Sequence, residues 1–135
     1  MGFVGLVKVK GLIGRRREEA VELEFLVDTG SFYTAISPQT RDQLKLAPGI
    51  PAQTQLADRR IVDTEVTVAH LRLLDREGIV PVEVADVPYP LLGASGLEAL
   101  GLKVNPVDGT LEHRFPFSGA IRFTRFQPGP SDPQA

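Results

Sequence analysis

The chain has 135 residues, of which 42% are hydrophobic and 24% are charged, and its formal net charge is −2. This length predicts a single domain, and the near balance of charges argues against a nucleic-acid-binding protein with a strongly basic surface. The sequence contains no Cys and two His, so disulfides are excluded and no zinc signature is present. No apolar stretch reaches the length of a membrane span, and no apolar signal segment precedes the first strand pattern. We therefore expect a soluble, cytoplasmic protein that does not bind a membrane.

The first half of the chain predicts two strands followed by a helix. Residues 3–10 and 20–27 alternate apolar and polar side chains, which is typical of strands with one buried face. Residues 11–19 are expected to form a solvated hairpin loop between them. Residues 37–46 predict a helix, because a serine suits the N-cap and Pro38 suits the first helical position.

The second half predicts more strands than helices. Its predicted elements, in order, are a hairpin over 54–74 with its tip at 58–60, a strand over 78–87, a short apolar segment at 91–93, a helix over 95–100 and a hairpin formed by 102–104 and 110–112. The whole pattern predicts a small, closed, mainly antiparallel β domain.

The segment with the clearest chemical signal is Asp28-Thr29-Gly30-Ser31, which follows an apolar strand. A carboxylate at the end of a buried strand is costly unless donors surround it. Gly30 permits a tight turn with its N–H close to the carboxylate, and the hydroxyls of Thr29 and Ser31 offer further hydrogen bonds. The same four residues could also form an ordinary surface turn. The apolar residues on both sides of the segment favour a partly buried site.

Two motifs resemble the retropepsin-like aspartic proteases. The first is Leu26–Ser31 followed by Thr34-Ala35-Ile36, and the second is Leu91-Leu92-Gly93 before a short helix. The resemblance implies a mainly β fold, a small closed antiparallel β-barrel of the acid-protease type with one or two short helices. It also implies a single domain over residues 1–126.

The resemblance further implies the activity of an aspartic endopeptidase, with Asp28 as the catalytic residue and Thr29, Gly30 and Ser31 supporting its loop. Two neighbouring carboxylates share one proton and so provide both a base and an acid. Because the chain has one Asp-Thr-Gly, the dyad requires a homodimer with one Asp28 from each subunit. We expect the Ser31 hydroxyl to bond to the carboxylate, favour its charged form and lower the working pH. The implied site has no metal and no cofactor.

The resemblance also assigns a flap, the hairpin that covers an extended peptide substrate. The flap residues are Ala57, Asp58, Arg59 and Arg60. Candidate residues of the substrate pocket are Ile61, Val62 and Leu91, although apolar strand residues can equally belong to the core.

The sequence departs from the family pattern at three places, and the first two of them motivate an alternative function. The flap tip has no Gly, Phe32 stands where a small residue is usual, and Ala94-Ser95 replaces the Arg-Asp of retroviral members. The alternative is a catalytically weak or inactive retropepsin-fold module that binds peptides or dimerises.

The C-terminal residues have two interpretations. Residues 114–126 interleave Arg and Phe, a mixture that suits single-stranded nucleic acid. A hairpin at the dimer interface, over residues 113–126, explains the same pattern and is favoured, so we expect no nucleic-acid partner. Residues 127–135 are rich in proline and are expected to be disordered. The expected partners are a second copy of the chain and a peptide or protein substrate.

Overall fold

The computed structural model describes residues 7–114, and its architecture over that range is mainly β. The strands are β1 Lys8–Gly14, β2 Val21–Val27, β3 Thr34–Ile36, β4 Ile50–Gln55, β5 Ile61–Leu73, β6 Arg76–Val84, β7 Leu91–Leu92, β8 Leu102–Val104 and β9 Leu111–His113. The helices are α1 Pro38–Leu44 and α2 Ala94–Ala99, and a 3-10 turn covers Arg17–Glu19. No helix in the described range is long and apolar enough to cross a membrane.

Seven strands form one sheet in the order β1-β2-β7-β3-β6-β5-β4, and β1 also pairs with β5. Strands β8 and β9 form a separate two-stranded sheet. The pairing is mainly antiparallel, as predicted, but two pairs, β2 with β7 and β3 with β6, are parallel and were not predicted. Alternation in a sequence reveals which face of a strand is buried, but it does not reveal the direction of the neighbouring strand.

The core lies on one face of the sheet and is covered partly by α2. Along β5, Ala69, Leu71 and Leu73 are buried while Val68 and Arg72 are exposed, which is the period of two expected for a strand. The other fully buried apolar side chains include Ile13, Phe25, Ile36, Val80, Val82, Leu92 and Leu100.

Most predicted elements are present with shifted ends. Helix α1 begins as predicted, because the Ser37 hydroxyl accepts a hydrogen bond from the backbone N–H of Thr40 (3.1 Å) and Pro38 occupies the first turn. The hairpin of β4 and β5 also has its tip where the sequence predicts it. Residues 115–135 lie outside the described range, so the interface hairpin over 113–126 and the disordered tail remain predictions.

The predicted loop over residues 11–19 is too long, because β1 continues to Gly14. Gly11 is a strand residue at a close contact: a Cβ there would lie 2.6 Å from the Leu73 side chain. Leu12 and Ile13 pair with both β2 and β5. The glycine therefore marks tight packing between strands instead of a turn.

Candidate active site

Asp28 directly follows β2 and is exposed at the start of a tight turn. Its backbone N–H donates to the carbonyl of Leu92 (2.9 Å), and its own carbonyl accepts from the N–H of Ser31 (3.0 Å). The carboxylate accepts a hydrogen bond from the N–H of Gly30 (3.1 Å), the close approach that the sequence predicts. The turn therefore presents the carboxylate to solvent in a defined direction.

The second sequence motif brackets this turn from the other side. The backbone N–H groups of Ala94 and Ser95 donate to the carbonyls of Ser31 and Phe32, both at 2.8 Å. The loop that contains Asp28 is thus held between the end of β2 and the beginning of α2. The two motifs, which are distant in sequence, meet in the fold.

Thr34 and Gly93 form the buried part of the same junction. The N–H of Gly93 donates to the hydroxyl of Thr34 (3.2 Å), whose side chain is inaccessible to solvent. A Cβ at Gly93 would lie 2.5 Å from the carbonyl carbon of Tyr33. Thr34 stands inside the first motif, but the sequence alone does not indicate that its hydroxyl supports the second.

The prediction for Ser31 is wrong. Its hydroxyl donates to the carbonyl of Tyr33 (2.9 Å) and not to the carboxylate of Asp28. The turn directs this side chain along the loop toward Tyr33, so the hydroxyl stabilises the loop backbone. The expected effect of Ser31 on the working pH therefore has no basis in this geometry.

The side chains next to the turn extend outward. Phe32 is 61% exposed and its ring packs edge-on against Tyr33, with 5.0 Å between ring centres. Thr29 is exposed and lines a groove of about 560 Å³ together with Val27, Leu97, Leu102 and Arg114. The groove passes beside the Asp28 turn and is also lined by Val7 and Pro106.

The tip of the β4–β5 hairpin forms a tight turn without glycine. Leu56 and Arg60 close it through a backbone hydrogen bond of 2.8 Å, and Arg59 adopts a left-handed conformation with φ of 72°. The carboxylate of Asp58 accepts from the backbone N–H (3.0 Å) and the guanidinium (2.7 Å) of Arg60. These two donors hold the pKa of Asp58 below its ordinary value.

The three candidate pocket residues differ in burial. Ile61 is 63% exposed beside the hairpin tip, and Val62 is partly buried. Leu91 is also partly buried and pairs with Leu26 on one side and Ala35 on the other. The structure therefore places Leu91 next to the Asp28 turn and the other two on the hairpin.

The base of the hairpin is fixed by Glu65. Its carboxylate accepts hydrogen bonds from the N–H of Gly49 (2.5 Å) and from the guanidinium of Arg41 in α1 (2.6 Å). Both hydrogen bonds lower the pKa of Glu65, and the bond from Gly49 has the larger effect. Helix α1 and the hairpin are therefore joined through one carboxylate.

The two histidines have hydrogen-bond partners within the protein. His70 is buried against the carboxylate of Glu77 (2.8 Å), and His113 lies 2.7 Å from Asp75. Over residues 7–114, no group of three or more His, Asp or Glu side chains could hold a metal ion.

Comparison with known proteins identifies the family and the fold. The family model for aspartyl proteases matches residues 7–109, which include both motifs and the hairpin. Among solved structures, the chain is similar to the EIAV protease complexed with the inhibitor HBY-793, with a TM-score of 0.59 and 24% identity over 78% of this chain and 97% of that one. A search of curated proteins finds no match. The chain belongs to the aspartyl protease family, and its fold is retropepsin-like.

Proposed function

We propose that the chain is a homodimeric aspartic endopeptidase in which the Asp28 carboxylates of two subunits form the catalytic dyad. The observation that carries this proposal is the exposed Asp28 carboxylate, oriented by the Gly30 N–H on a loop bracketed by Ala94 and Ser95. One carboxylate cannot serve as base and acid in the same step. The chain contains one Asp-Thr-Gly, so the second carboxylate comes from a second copy.

In this mechanism the two carboxylates share one proton because both cannot remain ionised at close range. The ionised Asp28 takes a proton from a water molecule, which attacks the carbonyl carbon of the peptide bond. The protonated Asp28 of the partner subunit donates its proton to the carbonyl oxygen. Collapse of the tetrahedral intermediate then breaks the C–N bond, and the leaving amine takes up a proton from the dyad.

The substrate is an extended peptide that lies beneath the β4–β5 hairpin, which serves as the flap through residues Ala57–Arg60. Main-chain hydrogen bonds hold such a peptide as an added strand, and alternate side chains enter pockets. Leu91, next to the Asp28 turn, contributes to a pocket wall, with Ile61 and Val62 on the hairpin. The double pairing of β1 with β2 and β5 supports a sheet that closes into a small barrel under this site.

The proposal is tested by Asp28→Asn. Asparagine keeps an oxygen for the Gly30 N–H, so the turn and the dimer are expected to persist, but the amide can neither take nor give the proton. We expect peptide cleavage to be lost. The matched control is Asp108→Asn, which changes an exposed aspartate in the turn between β8 and β9. If Asp28→Asn cleaves peptides as well as the parent chain, the mechanism is wrong.

The tip of the hairpin favours a second candidate, a module that binds peptides with little or no cleavage. The tip is closed by the Asp58–Arg60 pair and contains no glycine, so its turn is more restricted than a glycine-rich one. Incubation with a broad peptide library, with and without a pepstatin-type inhibitor, separates the two candidates. Cleavage that the inhibitor blocks eliminates the binding module.

A further inference from the structure

A row of paired side chains crosses the sheet from the strand that leads to Asp28 to the β4–β5 hairpin. The register pairs Leu26 with Leu91, Leu91 with Ala35, Ala35 with Glu83 and Glu83 with Val66. Directly paired residues project from the same face of a sheet. These five side chains therefore share one face, opposite the face that carries Val82 and Val84; four of them are partly exposed, and Ala35 is buried.

The burial pattern agrees with this assignment. On β6, Val80, Val82 and Val84 are buried in the core, so Glu83 lies on the other side. Asp28 follows Leu26 by two residues, and the alternation of β2 carries it toward the same side. The row thus begins beside the proposed catalytic carboxylate.

Glu83 is the one charged residue of this row, whose other members are apolar. Its carboxylate accepts a hydrogen bond from the hydroxyl of Thr54 in β4. Over residues 7–114, no Lys, Arg or His forms an ion pair with it. A carboxylate offers about four lone-pair sites on two oxygens, so Glu83 can accept further hydrogen bonds.

The bond between Thr54 and Glu83 also shows the shape of this face. Strands β4 and β6 are separated by β5, and in a flat sheet they would be about 10 Å apart. Contact between their side chains means that the hairpin curls over the row. Glu83 therefore lies between the hairpin and the residues next to Asp28.

We propose that Glu83 is a specificity-determining residue that selects a substrate with a Lys or Arg side chain. The aliphatic stem of that side chain lies along Leu91 and Ala35, the row members next to Glu83, and its charged end bonds to Glu83. This inference rests on the proposed function, because it assigns a substrate class to the same site. In a two-fold dimer each subunit provides one such row, so the preference applies at symmetric positions on both sides of the cleaved bond.

A purely structural role for Glu83, as the acceptor for Thr54, makes a different prediction. Glu83→Gln keeps an oxygen for the Thr54 hydroxyl but removes the charge. If the role is structural, the ratio of kcat/KM for basic and neutral peptides stays constant. If Glu83 binds the substrate, that ratio falls about tenfold, which corresponds to losing one charge-assisted hydrogen bond.

The experiment uses the full chain and a peptide library in which each position near the cleaved bond carries Lys, Arg, Leu, Gln or Glu. We expect the parent chain to prefer Lys and Arg about tenfold at symmetric positions. Glu83→Gln is expected to lose this preference and still cleave neutral peptides, and Glu83→Lys to prefer Glu. The matched control is Glu22→Gln, which changes an exposed carboxylate on β2 and should leave the preference unchanged.

Binding provides a readout that does not depend on cleavage. Fluorescence anisotropy with Asp28→Asn measures the affinity for a Lys-containing peptide and for its Leu counterpart. Tighter binding of the Lys peptide supports the inference even if the parent chain cleaves nothing, a result that would contradict the proposed function alone. Asp28-dependent cleavage without a preference for basic residues overturns the inference and leaves the proposed function intact.

Discussion

Gly93 leaves no room for a side chain between β7 and the loop that contains Asp28. Its N–H donates to the Thr34 hydroxyl, and a Cβ there would clash with the carbonyl oxygen of Tyr33 and lie 2.8 Å from that of Phe32. Gly30, in the loop that contains Asp28, leaves more room. A Cβ there would have one near neighbour, a carboxylate oxygen of Asp28 at 3.4 Å. Two glycines of one site therefore meet different steric demands.

We expect Gly93→Ala to lower the free energy of unfolding by about 1–3 kcal/mol, the usual cost of forcing an extra methyl into a packed region. Gly30→Ala is the matched control and should have a clearly smaller effect. Urea denaturation of both variants measures the difference. Equal losses of stability would contradict the close contact at Gly93.

Single residues also show where sequence reasoning fails at this site. The motif identifies Asp28 and the role of the Gly30 N–H, because both depend on neighbouring residues of one turn. It does not reveal that the Ser31 hydroxyl bonds to Tyr33, since the rotamer depends on the loop around it. The role of Thr34 is also hidden, because its partner Gly93 is remote in sequence.

At the scale of elements, Glu65 joins α1 to the base of the β4–β5 hairpin. Its bonds to Gly49 and Arg41 lower its pKa in the folded chain. A pKa that is lower in the folded state stabilises the protein above the pKa of the unfolded chain, which is about 4.3 for Glu. That stabilisation is lost as the pH falls through the lower, folded-state pKa.

We therefore expect Glu65→Gln to reduce stability near neutral pH by about 1 kcal/mol, a small value because the Arg41–Glu65 pair is partly exposed. The difference from the parent chain should begin to close as the pH falls below about 4.3, the pKa of the unfolded chain, and should disappear only below the lower folded-state pKa, where Glu65 is protonated in both states. Thermal unfolding between acidic and neutral pH measures both curves. Glu22→Gln serves as the control, and a difference that stays constant with pH would contradict the assignment.

The elements themselves were largely predictable. The strand before Asp28, the hairpin with its tip near Asp58 and the cap of α1 follow from alternation and turn residues. The parallel pairs β2–β7 and β3–β6 could not be predicted in this way, because the pattern of a strand does not reveal which strand lies beside it or in which direction that strand runs. Glu83 was missed for that reason: its place beside Ala35 depends on the register of one parallel pair.

At the scale of the whole molecule, the proposed enzyme is complete only when two chains associate. One chain supplies one Asp28, and its sequence has no second Asp-Thr-Gly to supply an equivalent carboxylate. The rate of peptide cleavage should therefore depend on which two subunits form each dimer, as well as on the total protein concentration.

Mixing the parent chain with an equal amount of Asp28→Asn tests this dependence. After exchange of subunits, random pairing leaves about one quarter of the dimers with two intact carboxylates, so cleavage per total protein should fall to about one quarter. A chain that acts alone would retain about one half. Mixing with Asp108→Asn, whose Asp28 is intact, should cause no loss.

The backbone hydrogen bonds around the Asp28 turn have a consequence for mutational tolerance. The groups that hold the loop are the N–H of Ala94 and Ser95 and the carbonyls of Ser31 and Phe32, which nearly every residue type supplies. Side chains at these positions can therefore change without displacing the carboxylate. A bulky Phe32 and a short Ala94-Ser95 pair are compatible with the turn for this reason. Related chains can therefore carry different side chains around the turn while the Asp28 carboxylate keeps its position.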